Sequence, residues 1–237
     1  MSKDLEFVKD ETNISRQKIW IDKLSYSLDK NCGEVVKNLI LEGVPADPES
    51  DQEKFSDFTI NAIHKMDTIL PQDVKNQVLT DCACLYPITK IEHIKEDYKN
   101  YHSSGRAHQM LEEQFRKDLE QWNIPGEYKN EIIDRGWGIA GKKVLDLITV
   151  TKTPEDVETY FTTKDEKQKR AAYCHCPRIK KLITDDVQNI SPTYCNCGAG
   201  FYKGLWEEIT GNEVRVEVLE TVINGGNTCK FQITLNE

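Results

Sequence analysis

The feature that most constrains this chain lies near its C-terminal end. Val214, Val216 and Val218 alternate with Arg215 and Glu217, and after Asn224-Gly225-Gly226-Asn227 a second alternation runs through Cys229, Phe231, Ile233 and Leu235. Period-two alternation on both sides of a glycine-rich turn specifies an antiparallel hairpin with one buried face. A two-residue Gly225-Gly226 loop sets a register pairing Val222 with Cys229, Glu220 with Phe231, Val218 with Ile233 and Val216 with Leu235. That register puts Glu220 on the apolar face between Val218 and Val222. A carboxylate there is costly unless paired or protonated. Two readings follow: Glu220 reaches solvent at a frayed strand end, or it lines a pocket as ligand anchor or general acid/base.

The rest of the chain reads mainly as helices. Residues 198–210, with Phe201, Leu205 and Ile209 on one face, predict a helix closed by Gly211. Upstream, apolar residues recur at helical spacing in four stripes. These are Ile14, Trp20, Ile21, Leu24 and Leu28; Val35, Val36, Leu39 and Ile40; Phe55, Phe58, Ala62, Met66 and Ile69; and Leu111, Phe115, Leu119 and Trp122. Residues 43–50, with Pro45 and Pro48, read as a loop, and Pro71 and Pro125-Gly126 end helices. Val144, Leu145 and Ile148 read as a short helix introduced by Gly141. Thr153-Pro154-Glu155-Asp156 reads as a helix start, with Thr153 as cap and Pro154 in the first turn. The predicted class is α+β: a mainly helical region over 1–150, packed with a cysteine-rich α+β ligand-binding-like module of helices on an antiparallel sheet over 151–237.

Composition narrows the partners. A formal net charge of −9 over 237 residues argues against a broad nucleic-acid surface. No apolar run reaches membrane-spanning length, and the N-terminal residues lack the apolar core of a signal peptide. The expectation is a cytoplasmic protein, monomeric or homodimeric, with a small-molecule ligand and neither nucleic acid nor membrane as partner.

Eight cysteines then need a reason. Six fall in Cys-x-Cys pairs: Cys82/Cys84, Cys174/Cys176 and Cys195/Cys197. A bridge inside such a pair closes a strained ring, and a reducing compartment disfavours bridges generally, so thiols are expected. Cys174, Cys176, Cys195 and Cys197 offer four thiolates to a tetrahedral zinc or similar soft metal, with His175 as a substitute ligand. Cys-x-Cys is not the usual Cys-x-x-Cys of zinc knuckles. The same residues also read as small buried apolar groups. A third reading is a reactive thiol. Cys197 stands at a helix N-terminus, where the backbone N–H groups favour thiolate, and Cys195 comes next. The sequence assigns no role to Cys32, Cys82 or Cys84. His64, His93, His102 and His108 read as surface or capping residues.

Residues 194–235 resemble the C-terminal part of the 4-vinyl reductase domain superfamily. The likeness is carried by the Cys-led helix, the strand ending Val218-Leu219-Glu220-Thr221, the glycine turn and the closing Cys229-x-Phe231-x-Ile233. It implies a small-molecule-binding module and, more distantly, likeness to aminothiazoline-carboxylate hydrolases. It carries over Glu220 and Cys229 as pocket or metal-proximal positions, with Phe231 beside them. Members often have a further cysteine just after the strand glutamate, where this chain reads Thr221-Val222-Ile223.

Three classes are therefore compatible with the sequence. The leading expectation is a small-molecule-binding protein with a cysteine-rich, zinc-holding site. The second is a hydrolase acting on a small amide or thiazoline-like ring through Glu220 and Cys197. The third is a structural or interaction protein with inert buried cysteines.

Overall fold

In the computed structural model, residues 16–185 and 191–236 are described, and the chain divides into two compact units, Met1–Cys82 and Ala83–Glu237. The class is α+β. The helix expected from Ile14 onward begins, within the described residues, at Arg16.

The first unit is helical: α1 (Arg16–Cys32), α2 (Glu34–Ile40), α3 (Gln52–Ile69) and α4 (Gln72–Asp81). The predicted stripes supply its core, with Trp20, Leu24, Leu28, Phe55, Ala62 and Met66 buried, and Leu79 of α4 joins them. Trp20 and Phe55 meet edge to face at 6.4 Å. Asp51 caps α3 by accepting from the Lys54 N–H at 3.0 Å. Inside this unit the buried Ser27 hydroxyl donates to Asp81 at 2.7 Å and ties α1 to α4. Pro71 ends α3 but also stands at the N-cap of α4, a helix the sequence reading did not register. Proline's fixed φ and missing N–H suit a helix entrance as well as an exit.

The second unit runs α5 (Glu92–Tyr101), α6 (Ser104–Glu120), α7 (Gly126–Asp134), β1 (Lys142–Val144), β2 (Leu147–Thr151), α8 (Val157–Thr162), α9 (Glu166–Tyr173), α10 (Pro177–Thr184), α11 (Asn196–Thr210), β3 (Val214–Glu220) and β4 (Lys230–Leu235). Pro125, like Pro71, stands at the N-cap of a helix, α7. Asp156, rather than Thr153, caps α8 by accepting from the Thr159 N–H at 3.0 Å.

The sheet is antiparallel in the order β1-β2-β4-β3. Its inner face, with Ile148, Val150, Val214, Phe231, Ile233 and Leu235, packs on Tyr202, Leu205, Trp206 and Ile209 of α11 in one buried cluster with Ile94, Tyr98 and Leu111. Outward polar residues alternate with these, as a sheet covered on one side requires. Along β3, Val214 is closed off by its own side: Lys203 donates to its carbonyl at 3.0 Å, and its N–H donates to Glu207 at 3.1 Å.

Three expectations change. Residues 141–148 form a hairpin, not a helix. Leu145 turns it at φ 53°, and Ile148 and Val150 are buried strand neighbours at period two. The Val144-to-Ile148 spacing that suggested a helix spans that turn instead. The boundary expected at 150/151 falls inside β2, whose five residues pair with β4.

The β3–β4 register also moves by two residues. Val214 pairs with Leu235, Val216 with Ile233 and Val218 with Phe231. The connection is longer than a two-residue loop: Thr221 caps a short 3₁₀ turn (Val222–Asn224), and Gly225 follows at φ 77°. A shift of two keeps every valine on its predicted face. The ladder is then irregular between Val218 and Glu220, so Glu220 pairs with Lys230.

Candidate functional site

The bulge decides where Glu220 points. One inserted residue reverses the alternation, so Glu220 joins the polar side with Lys230 and Gln232 and leaves the apolar side of Val218. Its carboxylate is held there. Oε1 accepts from the Thr228 N–H at 2.9 Å and the Thr228 hydroxyl at 2.8 Å, and Oε2 accepts from Lys230 Nζ at 2.6 Å. Burial alone would raise its pKa, but Lys230 and the two Thr228 donors outweigh it and hold the carboxyl below its ordinary value. Glu220 is neither a frayed solvent residue nor an unpaired core acid. It is a clamp that fixes the start of β4.

Cys229, one residue before β4, is placed by the other side of the same strand. Its carbonyl accepts from the Lys152 N–H at 3.0 Å. The Tyr173 hydroxyl, fully buried, donates to the Lys152 carbonyl, so the end of α9 is fastened to the end of β2. This fastening brings Cys174 beside the sheet, because Cys174 directly follows Tyr173 at the C-cap of α9. Phe231, on the core side of β4, meets Tyr202 at 5.1 Å with the rings tilted by 40°, and lies under Gly198, where a β-carbon would come within 3.0 Å of its ring. Phe231 is therefore a floor residue of this region, and Gly198 is glycine because α11 approaches the ring closely.

Five cysteines gather at this corner of the second unit. Cys174 is 7% exposed, and its Sγ lies 3.8 Å from the Cys176 carbonyl. Cys195 ends the short turn Pro192–Cys195 and stands at the N-cap of α11. Burial pushes its thiol well up, and the neighbouring Cys229 and Cys174 push it further, against a hydrogen bond from Thr221. Cys229 is raised by burial, partly offset by the Val222 N–H and by Lys152. For Cys197 burial also wins. Its thiol is pushed up to about 12, although Arg178 pulls the other way. This runs against the reactive-thiol reading of Cys197: desolvation outweighs what its place near a helix N-terminus supplies. None of the eight cysteines is in a disulfide.

Two cations face the thiols. Arg178, 8% exposed, follows Cys176 by two residues, and its guanidinium lies 5.9 Å from the Tyr194 ring. Lys152 stands 5.6 Å over the Phe201 ring and acts on Cys174, Cys197 and Cys229. His175 is already engaged: Nε2 donates to the Thr153 carbonyl at 2.7 Å. Desolvation of its ring, and then Lys152, lower its pKa to about 4, although the residue as a whole is exposed. The imidazole is neutral near pH 7, and Nδ1 alone keeps a lone pair that can accept a hydrogen bond or bind a metal. Among the described residues no three His, Cys, Asp or Glu side chains are drawn together closely enough to hold a metal ion as they stand.

Of the residues singled out in the sequence, Cys174, Cys176, Cys195, Cys197 and Cys229 lie near enough to act on one another's thiols, Phe231 lies under the nearby Gly198, and Glu220 is turned onto the opposite side of the strand. Lys152 and Arg178 gave no signal in the sequence, since a lysine after a strand and an arginine inside a helix are ordinary surface residues until tertiary packing half-buries the one and buries the other.

Residues 146–237 match a family of unknown function (DUF6144). No curated protein and no solved structure matches the chain. Among the described residues no helix is long and apolar enough to cross a membrane.

Proposed function

We propose that the second unit is a small-molecule-binding module built on a soft metal, zinc foremost, held by thiolates of the Cys174/Cys176 and Cys195/Cys197 region. The observation that carries this reading is the meeting of cysteines from separate stretches of chain beside two cations. Inert core thiols have no need of Arg178 and Lys152. Thiolates do, because each metal-bound sulfur keeps its negative charge. The high pKa values of the free thiols fit the same reading. A buried thiolate is unstable until a cation replaces its proton, so binding is coupled to proton release and to tightening of the site. The resemblance of residues 194–235 to the 4-vinyl reductase domain superfamily supports a small organic ligand at this place.

The hydrolase reading is less well supported, since Glu220 is committed to Lys230 and Thr228 and burial raises the Cys197 thiol away from the thiolate. The test is elemental analysis of the full chain purified from zinc-supplemented cells under reducing conditions. Metal in whole-number stoichiometry is expected, together with a fall in melting temperature on chelation. A metal-free protein whose stability ignores zinc would end this proposal.

A further inference from the structure

We infer that the outer edge of β3 docks a second copy of this chain, its β3 running antiparallel about a two-fold axis at Val216. This goes beyond the ligand reading above and does not depend on it.

β3 is one of the two outer strands of the sheet, and the directions of its backbone groups follow from β4. The Cys229 carbonyl accepts from the Lys152 N–H and the Leu235 N–H donates to the Asp146 carbonyl, so odd-numbered residues of β4 turn their backbone groups toward β2. Gln232 and Thr234 turn theirs toward β3, where they meet Glu217 and Arg215. Backbone groups alternate in direction along a strand. Val214, Val216 and Val218 therefore turn theirs outward. Val214 agrees, since its N–H and carbonyl are bonded to Glu207 and Lys203 of α11. Among the described residues no hydrogen bond reaches the outward groups of Val216 or Val218.

The two outer edges differ. β1 has three residues, two of them lysines, and short lysine-bearing strands are how sheets keep an edge from pairing. β3 has seven residues and neither lysine nor proline, and its regular part runs from Val214 to the bulge after Val218. Val216 is the middle of that part.

Side chains choose the occupant and the register. Arg215 and Glu217 stand on the solvent face 2.6 Å apart, their side chains 74% and 48% exposed. Read antiparallel, Arg215-Val216-Glu217 is its own complement. With the axis at Val216, each Arg215 faces the partner's Glu217, and the two Val216 residues exchange N–H···O=C bonds. The charged pairs are then of the non-hydrogen-bonded kind, in which side chains stand closest. An axis at Arg215 or Glu217 sets like charges face to face. An axis at Val218 sets Glu217 against the partner's Leu219, and one at Val214 is closed by Lys203 and Glu207. A second copy is thus the occupant whose charges match this edge. The pairing is short, so the dimer dissociates on dilution.

The test is sedimentation velocity of the full chain over a wide concentration range, under reducing conditions so that no disulfide joins copies. A concentration-dependent monomer–dimer equilibrium is expected. Arg215→Glu or Glu217→Arg should each weaken it roughly tenfold or more, because two attractive cross-strand pairs become repulsive. Both side chains lie on the surface, and circular dichroism checks that each variant is folded. An equimolar mixture of the Arg215→Glu chain and the Glu217→Arg chain should recover the dimer as a heterodimer, which native mass spectrometry reads from the two masses. A pair that acted only within one chain would give no such recovery. A wild-type chain that stays monomeric, a dimer indifferent to both reversals, or a mixture that stays monomeric overturns the proposal.

Discussion

Lys230 Nζ lies 2.6 Å from Glu220 Oε2, across the one irregular step of the β3–β4 ladder. The pair fixes that step. Glu220 also takes both Thr228 donors, so a single carboxylate organises the strand entrance from which Cys229 projects.

Glu220→Gln should lower stability by about 1 kcal/mol, because a charge-assisted clamp becomes a neutral one. The folded pKa is depressed, so the native carboxylate contributes stability above the ordinary glutamate value of 4.5 and loses it as pH falls through the lower folded value. Urea denaturation should show a wild-type advantage at pH 7 that shrinks below about pH 4.5. An advantage that grows on acidification would contradict the clamp.

Gly226→Ala should cost more, roughly 1–3 kcal/mol. A β-carbon there would lie 2.6 Å from Glu220 Cγ and 2.8 Å from the Thr221 carbonyl. At Gly225 the space is open and only φ 77° is strained, so Gly225→Ala should cost about 1–2 kcal/mol. Thermal melts of both variants, with the Glu220–Lys230 pair removed in a second background, distinguish the two causes. The Gly226 penalty alone should fall when residue 220 is shortened.

Leu145→Asn should stabilise the chain by about 0.5 kcal/mol. Leu145 is 84% exposed and sits at φ 53°, where a branched apolar side chain contributes no packing and asparagine is better tolerated. A destabilised Leu145→Asn would mean that the apolar tip of this hairpin is covered in solution.

In the metal-free, reduced protein, alkylation near pH 7.5 should reach the exposed Cys84 first. Cys197 should react roughly tens-fold more slowly than a thiol at the ordinary value of 9.0, since its thiol is pushed up to about 12 and the scarcer thiolate is only partly offset by its greater basicity. Mass-mapped labelling that finds Cys197 fastest would restore it as a nucleophile.

Much of this protein is written locally. The stripes through Trp20 to Leu28 and Phe55 to Met66 became buried helix faces. The glycine-closed helix α11 and the valine alternation of β3 stand where their periodicity put them, because each depends only on neighbours in sequence. The thiol-rich stretches were visible for the same reason: cysteine types and spacing need no fold to be read.

Tertiary structure decided what those residues can do. One extra residue in β3, invisible to a period-two pattern, turned Glu220 from the core side to Lys230. The order of strands made 147–151 the inner partner of β4 and not a helix. Burial overrode the helix terminus at Cys197, since desolvation depends on everything packed around a thiol and not on the residues beside it in the chain. The sequence by itself determined which faces are apolar and where the sulfurs sit along the chain. Only the folded chain set Cys229 beside Cys195, and Lys152 and Arg178 beside both Cys-x-Cys stretches, because charge and coordination act through space.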